Sequence, residues 1–144
     1  MVNKMLSGVS NQLYDVFGED YKYYVEDVEQ NLKKPCFTMN ALVPSQRSRS
    51  RLLYDRTIPI VVHYFSSDKV NTKKDCYEKA ELIVEALEYI PFEGTLIRGE
   101  DIDWQIVEDD VLQVFVTYRF ITKKVTSNED NMEDIVQSNV SVST

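Results

Sequence analysis

The chain has 144 residues and a net charge of −8 at pH 7, with 43% hydrophobic and 28% charged residues. This composition is typical of a globular protein that is long enough to bury its own core, so the fold needs no disulfide or structural metal. The acidic balance argues against a general nucleic-acid binder, because phosphate contacts need a basic face.

Cysteine and histidine are scarce. The two cysteines, Cys36 and Cys76, do not form a CxxC pair, and His63 is the single histidine. This set cannot by itself supply the ligands of a structural zinc site. No run approaches the roughly 20 apolar residues of a membrane helix, and the start of the chain lacks the apolar run of a signal peptide. We therefore expect a protein of a reducing cytoplasm that uses no membrane, metal or cofactor.

The first half of the chain is predicted to contain one helix and three strands. Apolar residues recur at helical spacing through residues 2–17, and Gly18 follows in the position of a left-handed cap. Short β-prone runs predict strands over residues 21–25 and 36–43. A longer strand is predicted over residues 52–65.

Two stretches before and within this long strand are irregular. Residues 45–51 read Ser-Gln-Arg-Ser-Arg-Ser-Arg, which is too polar for a core and predicts a loop. Pro59 lies inside the strand itself. Because proline donates no ladder hydrogen bond, the strand is expected to be bulged there or to lie at a sheet edge.

The second half is predicted to contain one helix and a hairpin. Asp75, with Glu78 three residues on, matches an Asp variant of the capping box, and the helix is predicted to run to about Tyr89 before Pro91 stops it. Three strands are predicted over residues 95–98, 102–107 and 111–123. The last two strands are expected to form a hairpin.

Strands grouped between helices predict an α+β fold rather than a doubly wound parallel sheet. The expected architecture is a mixed or antiparallel sheet of about five strands flanked by two main helices, in one domain over residues 1–125. Residues 126–144 carry four acids and no base, so we expect a flexible acidic tail. Its alternating residues 140–143 match a strand added to a neighbour's sheet edge, although disorder is the expected state.

No phosphate-binding loop, dinucleotide fingerprint, nucleophile elbow or metalloprotease motif occurs. His63 is expected to be a half-buried, hydrogen-bonded strand residue rather than a general base. Cys36 lies on an apolar strand, where burial raises a thiol pKa. Cys76 begins a helix, where the dipole could lower its pKa, yet an inert residue is expected. The chain is therefore predicted to have no catalytic residue and not to be an enzyme.

Charged residues are clustered along the chain. Two acidic clusters, at residues 100–103 and 108–110, are expected to form a solvated hairpin rim rather than a cation site, because their spacing fits no calcium loop. Four of the six arginines fall in one short stretch, at Arg47, Arg49, Arg51 and Arg56. If this stretch is extended, the first three point to the same side. They then form either a charged finger for an acidic neighbour, such as another copy of this chain, or a solvated tip that protects sheet edges.

The order and content of these elements resemble one known family. The N-terminal helix is followed by Tyr-Lys-Tyr-Tyr-Val-Glu-Asp-Val-Glu-Gln-Asn-Leu-Lys-Lys-Pro-Cys-Phe at residues 21–37, the Arg/Ser loop, and Ile-Pro-Ile-Val-Val-His-Tyr-Phe at residues 58–65. A helix containing Cys-Tyr-Glu-Lys-Ala-Glu at residues 76–81 and a hairpin starting Leu-Ile-Arg-Gly at residues 96–99 complete the pattern. Together they resemble the tail terminator family of contractile-tailed Gram-positive phages, defective prophages and phage-tail-like bacteriocins.

The resemblance covers most of residues 2–123 and implies a structural role. It implies a ring, usually of six subunits, that caps the tail tube and sheath and ends tail polymerisation. The implied partners are further copies of the chain, the tube protein, the sheath protein and, where a head exists, a connector protein; in headless particles the ring is a collar. The implied location is the bacterial cytoplasm during assembly and then the released particle. No cofactor and no catalytic residue are implied.

Three other functions stay open at the level of sequence. A head–tail adaptor is a component of the same particles. A small ligand-binding domain would bind a saturable ligand that raises its melting temperature. A small enzyme would have to use Cys36 or Cys76 with His63, since no other nucleophile and base pair is visible.

Overall fold

The structure is a computed structural model that describes residues 1–26 and 32–124, together with the backbone of residues 133–135. Its helices are α1 (Val2–Phe17) and α2 (Thr72–Leu87). Its strands are β1 (Lys22–Val25), β2 (Cys36–Ala41), β3 (Ser45–Ser48), β4 (Leu53–Phe65), β5 (Tyr89–Phe92), β6 (Thr95–Val107), β7 (Val111–Lys124) and β8 (Glu133–Ile135). The predicted α+β class with two main helices is confirmed, and the described strands number eight rather than about five.

One mixed, curled sheet contains all of these strands. Its main path runs β1-β2-β4-β7-β6-β5, in which only β1 and β2 are parallel. The short β3 pairs with the first part of β4, and the short β8 pairs with the last part of β7. The long strands β4 and β7 therefore form the centre of the sheet and pair with each other over twelve residues.

The hydrophobic core lies between the two helices and one face of this sheet. Helix α1 buries Met5, Leu6, Val9 and Leu13, and α2 buries Cys76, Ala80, Ile83 and Leu87. Alternate residues of the central strands meet them, namely Ile58, Ile60, Val62 and Tyr64 from β4 and Leu112, Val114, Val116 and Tyr118 from β7. This period of two is the ordinary side-chain alternation of a β-strand. Each fully buried aliphatic side chain contributes about 1.5–3 kcal/mol.

Two glycines set the position of α1. Gly18 ends the helix with φ 82°, and its N–H donates to the carbonyl of Tyr14 at 2.8 Å; the φ is positive, but ψ is −160°, so the conformation is not the predicted left-handed helical cap. At Gly8 the helix crosses β5 so closely that an added Cβ would lie 2.8 Å from the carbonyl oxygen of Pro91. The glycine that lowers helix propensity is therefore the residue that lets α1 approach the sheet.

The predicted cap at Asp75 is wrong, because α2 begins three residues earlier, at Thr72. The Asp75 carboxylate instead accepts the hydroxyls of Tyr64 and Ser66, each at 2.6 Å, and pairs with Lys79 Nζ at 2.8 Å. Burial alone would raise its pKa, but the bonds from Lys79, Ser66 and Tyr64 outweigh burial and lower it. Asp75 thus ties α2 to the end of β4.

The prediction for Pro59 is also wrong, since β4 is an interior strand with continuous register to β7. The strand pairs with β2 from Ile60 onward and with β3 up to Thr57, so Pro59 faces the stretch where the chain passes from β2 to β3. Its carbonyl accepts the N–H of Leu42 at 2.8 Å on that side. The N–H and C=O of a strand residue point to the same side of the strand. The N–H that proline lacks would therefore point toward the gap between β2 and β3 and not toward β7.

Four further boundaries differ from the predictions. Residues 45–48 of the predicted loop form β3, and Pro91 lies in strand β5 rather than directly after a helix. The strands predicted over residues 95–98 and 102–107 are one strand, β6, with a bulge between Glu100 and Asp103. Within the predicted tail, residues 133–135 pair with β7 as β8, whereas residues 140–143 lie outside the described part.

Candidate functional site

Beyond Tyr118 the two central strands continue without β6, because the β6 register on β7 stops at Gly99 opposite Tyr118. We call this extension the arginine arm: residues 45–57, which include β3, and residues 119–124 of β7. Five steps along β7 from Arg119 to Lys124 span about 17 Å. The arm is therefore a paired, extended structure and not a loose loop.

All four arginines predicted as a contact lie on this arm. Arg47 is on β3, Arg56 is on β4, and Arg49 and Arg51 lie on the bend between the two strands. The N–H groups of Arg49 and Ser50 both donate to the carbonyl of Leu53, at 2.8 and 3.2 Å, which closes this bend. The chain turns after Ser48, so residues 47–51 do not form one extended stretch. Arg47, Arg49 and Arg51 are therefore not aligned on one side by strand alternation.

Positive charge dominates the arm. It contains seven cations, Arg47, Arg49, Arg51, Arg56, Arg119, Lys123 and Lys124, against the single acid Asp55. The Arg49 guanidinium lies 3.8 Å from the Asp55 carboxylate, with both side chains about half exposed, and Arg56 donates to Gln46 Oε1 at 2.8 Å. Exposed pairs of this kind add little stability. Among the described residues Arg47 and Arg51 form no ion pair, so their charge is available to a neighbour.

A second charged surface lies along the junction of α2 and β6, which we call the α2/β6 groove. One end is a cleft of about 700 Å³ lined by Glu81, Val84, Glu85, Glu88, Ile97, Arg98, Gly99, Glu100, Asp101, Ile102 and Arg119. The other end is a cleft of about 440 Å³ lined by Lys73, Tyr77, Trp104, Ile106, Val107, Glu108, Asp109 and Asp110. Eight carboxylates and three cations line the two clefts, so the groove is acidic.

Part of this acidity is balanced within the chain. Arg119 lies 3.0 Å from Asp101 Oδ2 and 3.5 Å from Glu100 Oε1. Arg98 lies 3.9 Å from Glu88 Oε2. In contrast, within the described residues no ion pair involves Glu81 or Glu85, which are exposed on α2. These two carboxylates face solvent beside the paired ones.

The groove also has an aromatic end. Tyr77 and Trp104 meet edge to face with ring centroids 5.7 Å apart, yet 52% of Tyr77 and 38% of Trp104 stay exposed. Exposed tryptophan and tyrosine side by side are typical of protein contact surfaces. Sequence reasoning missed this groove, because its acids come from α2 and β6. The signal that was present is the spacing of Glu81, Glu85 and Glu88, which places them on one side of a helix.

The catalytic candidates do not form a site. His63 is half-buried, its Nε2 lies 2.9 Å from Gln113 Nε2, and burial lowers its pKa. The structure confirms the expected hydrogen-bonded strand histidine. Cys36 lies opposite Phe65 in the sheet, whereas Thr38 lies opposite His63, so the thiol and the imidazole are not directly opposite each other, and within the described residues no hydrogen bond joins them.

Both thiols are buried and poorly ionised. Burial raises the pKa of Cys36 to about 11, against a smaller opposing effect of Lys34. Burial, Asp75 and Asp110 raise the pKa of Cys76, and its Sγ lies 3.5 Å from the carbonyl oxygen of Asp110. The helix dipole therefore does not activate Cys76, since burial and the two carboxylates outweigh it. Neither cysteine is poised as a nucleophile.

Metal-ligand clusters and membrane-spanning helices are both missing from the described residues. Within residues 1–26 and 32–124, no group of three His, Cys, Asp or Glu side chains is arranged to hold a metal ion. The helices of the same residues are too short or too polar to cross a membrane.

The comparisons with known proteins point to one family. A family model described as "Phage tail terminator protein" matches residues 4–130, which is most of the chain. A search of curated proteins gave no match. One solved structure that carries only a sequence label as its name aligns over 89% of this chain and 99% of its own, at 10% identity and a TM-score of 0.45. That similarity is too low to support an argument. On the family match, the chain belongs to the phage tail terminator family.

Proposed function

We propose that this protein forms a closed ring of six identical subunits that caps the tail tube and ends its polymerisation. The single observation that carries the proposal is the family match over residues 4–130, which gives the chain a structural role in a phage tail. The cap of a polymer must recognise the finished end and offer no surface for the next subunit. A closed ring meets both requirements.

The charge distribution supports self-association into a ring. The chain has a net charge of −8 but concentrates seven cations on the arginine arm. A contact between two unlike surfaces is heterologous, and such contacts close into cycles when the rotation between subunits allows it. Arg47, Arg49, Arg51 and Arg56 are the proposed contact residues. Arginine suits this role because its guanidinium pairs with carboxylates through two parallel hydrogen bonds.

The proposed partners are the tube protein and, in a contractile particle, the sheath protein. Where a head exists, a connector protein would bind the opposite face of the ring, and in a headless bacteriocin-like particle the ring would be a collar. The protein would assemble in the bacterial cytoplasm and leave as part of the released particle. A non-enzymatic role is supported by the raised pKa of both thiols and by His63, which has Gln113 as its hydrogen-bond partner.

Tail length tests this function. Particles made without the protein should have ragged tails of variable, excessive length when they are measured by negative-stain electron microscopy, and the wild-type gene supplied in trans should restore uniform length. Uniform tails of normal length without the protein would contradict the cap. Such tails without heads attached would instead favour a head–tail adaptor.

The role of the arm has its own test. Reversal of Arg47, Arg49 and Arg51 to glutamate should abolish rings and give overlong tails, because it changes the charge of this part of the arm by six units. The matched control reverses Lys22, Lys33 and Lys69, which are exposed elsewhere on the chain. Rings that persist in the arm variant would show that the arm is not the contact.

A further inference from the structure

We propose that the α2/β6 groove of one subunit receives the tip of the arginine arm, residues 47–51, from the next subunit. This inference rests on the proposed ring, because it names the surface that completes the contact. The arm supplies the positive partner. The groove supplies carboxylates along its rim and two exposed aromatic rings at one end.

Charge complementarity selects this pair of surfaces. The tip brings Arg47 and Arg51, which have no ion pair among the described residues. The groove brings Glu81 and Glu85, which likewise have none. Exposed carboxylates that face each other on one helix side repel, so cations from a neighbour would relieve this repulsion as well as form new pairs.

The apolar part of the groove fits the same occupant. Val84 and Ile102 line one cleft, and Tyr77 and Trp104 line the other. Arginine stacks on the faces of tryptophan and tyrosine while it pairs with carboxylates, and a lysine or a backbone amide does this less well. An acidic groove with aromatic rings therefore favours an arginine-rich segment over an apolar helix or an anionic ligand.

The contact joins two copies, because the tip of the arm lies far from the groove of its own chain, although Arg119 at the base of the arm borders that groove. The groove lies beside β6, which pairs with β7 over Val111 to Tyr118. The arm is the continuation of β7 beyond that point, and its tip lies about 17 Å further along the strand. Groove and arm thus follow one another along the same strand. Copies placed head to tail in this direction would bring each tip to the groove of the next subunit.

A charge-swap experiment tests the pairing. The groove variant Glu81→Lys and Glu85→Lys should lose ring formation in purified protein and tail-end caps in particles, as the arm variant Arg47→Glu, Arg49→Glu and Arg51→Glu should. One chain that carries all five substitutions should regain rings and caps, because each tip is then acidic and meets two lysines where the groove had its two unpaired carboxylates. The control reverses two exposed acids on another part of the chain, Asp15→Lys and Asp20→Lys, and should assemble like wild type. Circular dichroism and thermal unfolding would confirm that each variant is folded.

A cross-linking experiment gives a second, direct readout. Ser50→Cys on the tip and Glu85→Cys in the groove are placed in one chain, since Cys36 and Cys76 are buried. In purified particles a bis-maleimide linker should then give a ladder of covalent oligomers that ends at the ring number, while either single variant should give none. If the double-cysteine particles have capped tails of normal length but give no ladder, the groove contact is overturned. Failure of the five-fold variant to regain rings would overturn it as well. Neither outcome would contradict the proposal that the protein forms a ring. Normal tails in the complete absence of the protein would overturn the ring itself.

Discussion

The phenolic hydroxyl of Tyr118 donates to the carbonyl oxygen of Leu87 at 2.8 Å, in a fully buried position at the end of α2. The next carbonyl, that of Glu88, accepts the N–H of Gly99 at 2.7 Å. No glycine caps this helix. Instead, the two carbonyl groups at its end accept hydrogen bonds from β7 and β6. Strands β6 and β7 therefore fix the end of α2, and with it one wall of the groove.

Replacement of Tyr118 by phenylalanine should destabilise the protein by about 1–3 kcal/mol, because the Leu87 carbonyl loses its partner without access to water. Urea unfolding followed by circular dichroism measures this as a lower midpoint with an unchanged slope. The matched control is Tyr89→Phe on an exposed ring, which should change the free energy of unfolding by less than about 0.5 kcal/mol. Equal effects of the two variants would contradict the buried bond.

Gly8→Ala should destabilise the protein even though alanine is the better helix former by about 1 kcal/mol. The new Cβ would lie 2.8 Å from the Pro91 carbonyl oxygen, so α1 would have to move away from β5. Differential scanning calorimetry should show a lower melting temperature. The neighbouring Ser7→Ala, on the exposed side of the same helix, should leave it unchanged or raise it slightly. A stabilised Gly8→Ala variant would show that α1 does not pack this closely.

Asp75→Asn should destabilise the protein at pH 7 by about 1–2 kcal/mol and remove part of its acid sensitivity. The pKa of Asp75 is lowered in the folded state, so its stabilising effect is present above the ordinary pKa near 4 and is lost as pH falls through the lower, folded value. The difference in free energy of unfolding between wild type and variant should therefore shrink as pH falls below about 4. Asp20→Asn, an exposed control, should have the stability of wild type at pH 7. A constant difference would contradict the assigned shift.

Cys36→Ala combined with Cys76→Ala should leave ring formation and tail length unchanged. With a pKa of about 11, only about one thousandth of the Cys36 thiol is ionised at pH 8, and both side chains are buried. Native protein should therefore react with an aromatic disulfide reagent only as fast as it unfolds, and denatured protein should react at once. A folded double variant that no longer ends tails would reopen an enzymatic role.

The parts of the fold that the sequence could predict are those whose signal is local. Apolar spacing identified α1, and the strands predicted over residues 52–65 and 111–123 correspond to β4 and β7, since each of these elements buries one face against the core. Strand β3 was missed, since a run of serine, glutamine and arginine has no apolar face. It is a strand because β4 offers it an unpaired edge. The bulge or edge predicted at Pro59 was wrong for a related reason. An interior strand can contain this proline because the proline lies between the end of β2 and the start of β3, and the sequence does not show where these neighbours pair.

The candidate site was predictable only in part. The clustered arginines could be read directly, since Arg47, Arg49 and Arg51 are close together in the chain. Their arrangement could not, because the bend after Ser48 is closed by the carbonyl of Leu53. Asp75 was assigned to a cap because its true partners, Tyr64 and Ser66, precede it by about ten residues on another element. The groove was invisible for the same reason, since α2 and β6 meet only in the folded chain.

The unbroken pairing of β4 with β7 has a mechanical consequence. The two strands run from the arm into the core as twelve consecutive antiparallel partners. A force on the tip along the strand direction loads all twelve residue pairs in shear. Pairs loaded in shear resist together and do not open one after another from the end. If the ring is held by its arms, tension between neighbouring subunits is thus carried into the most buried strands of each subunit and not by a flexible hinge.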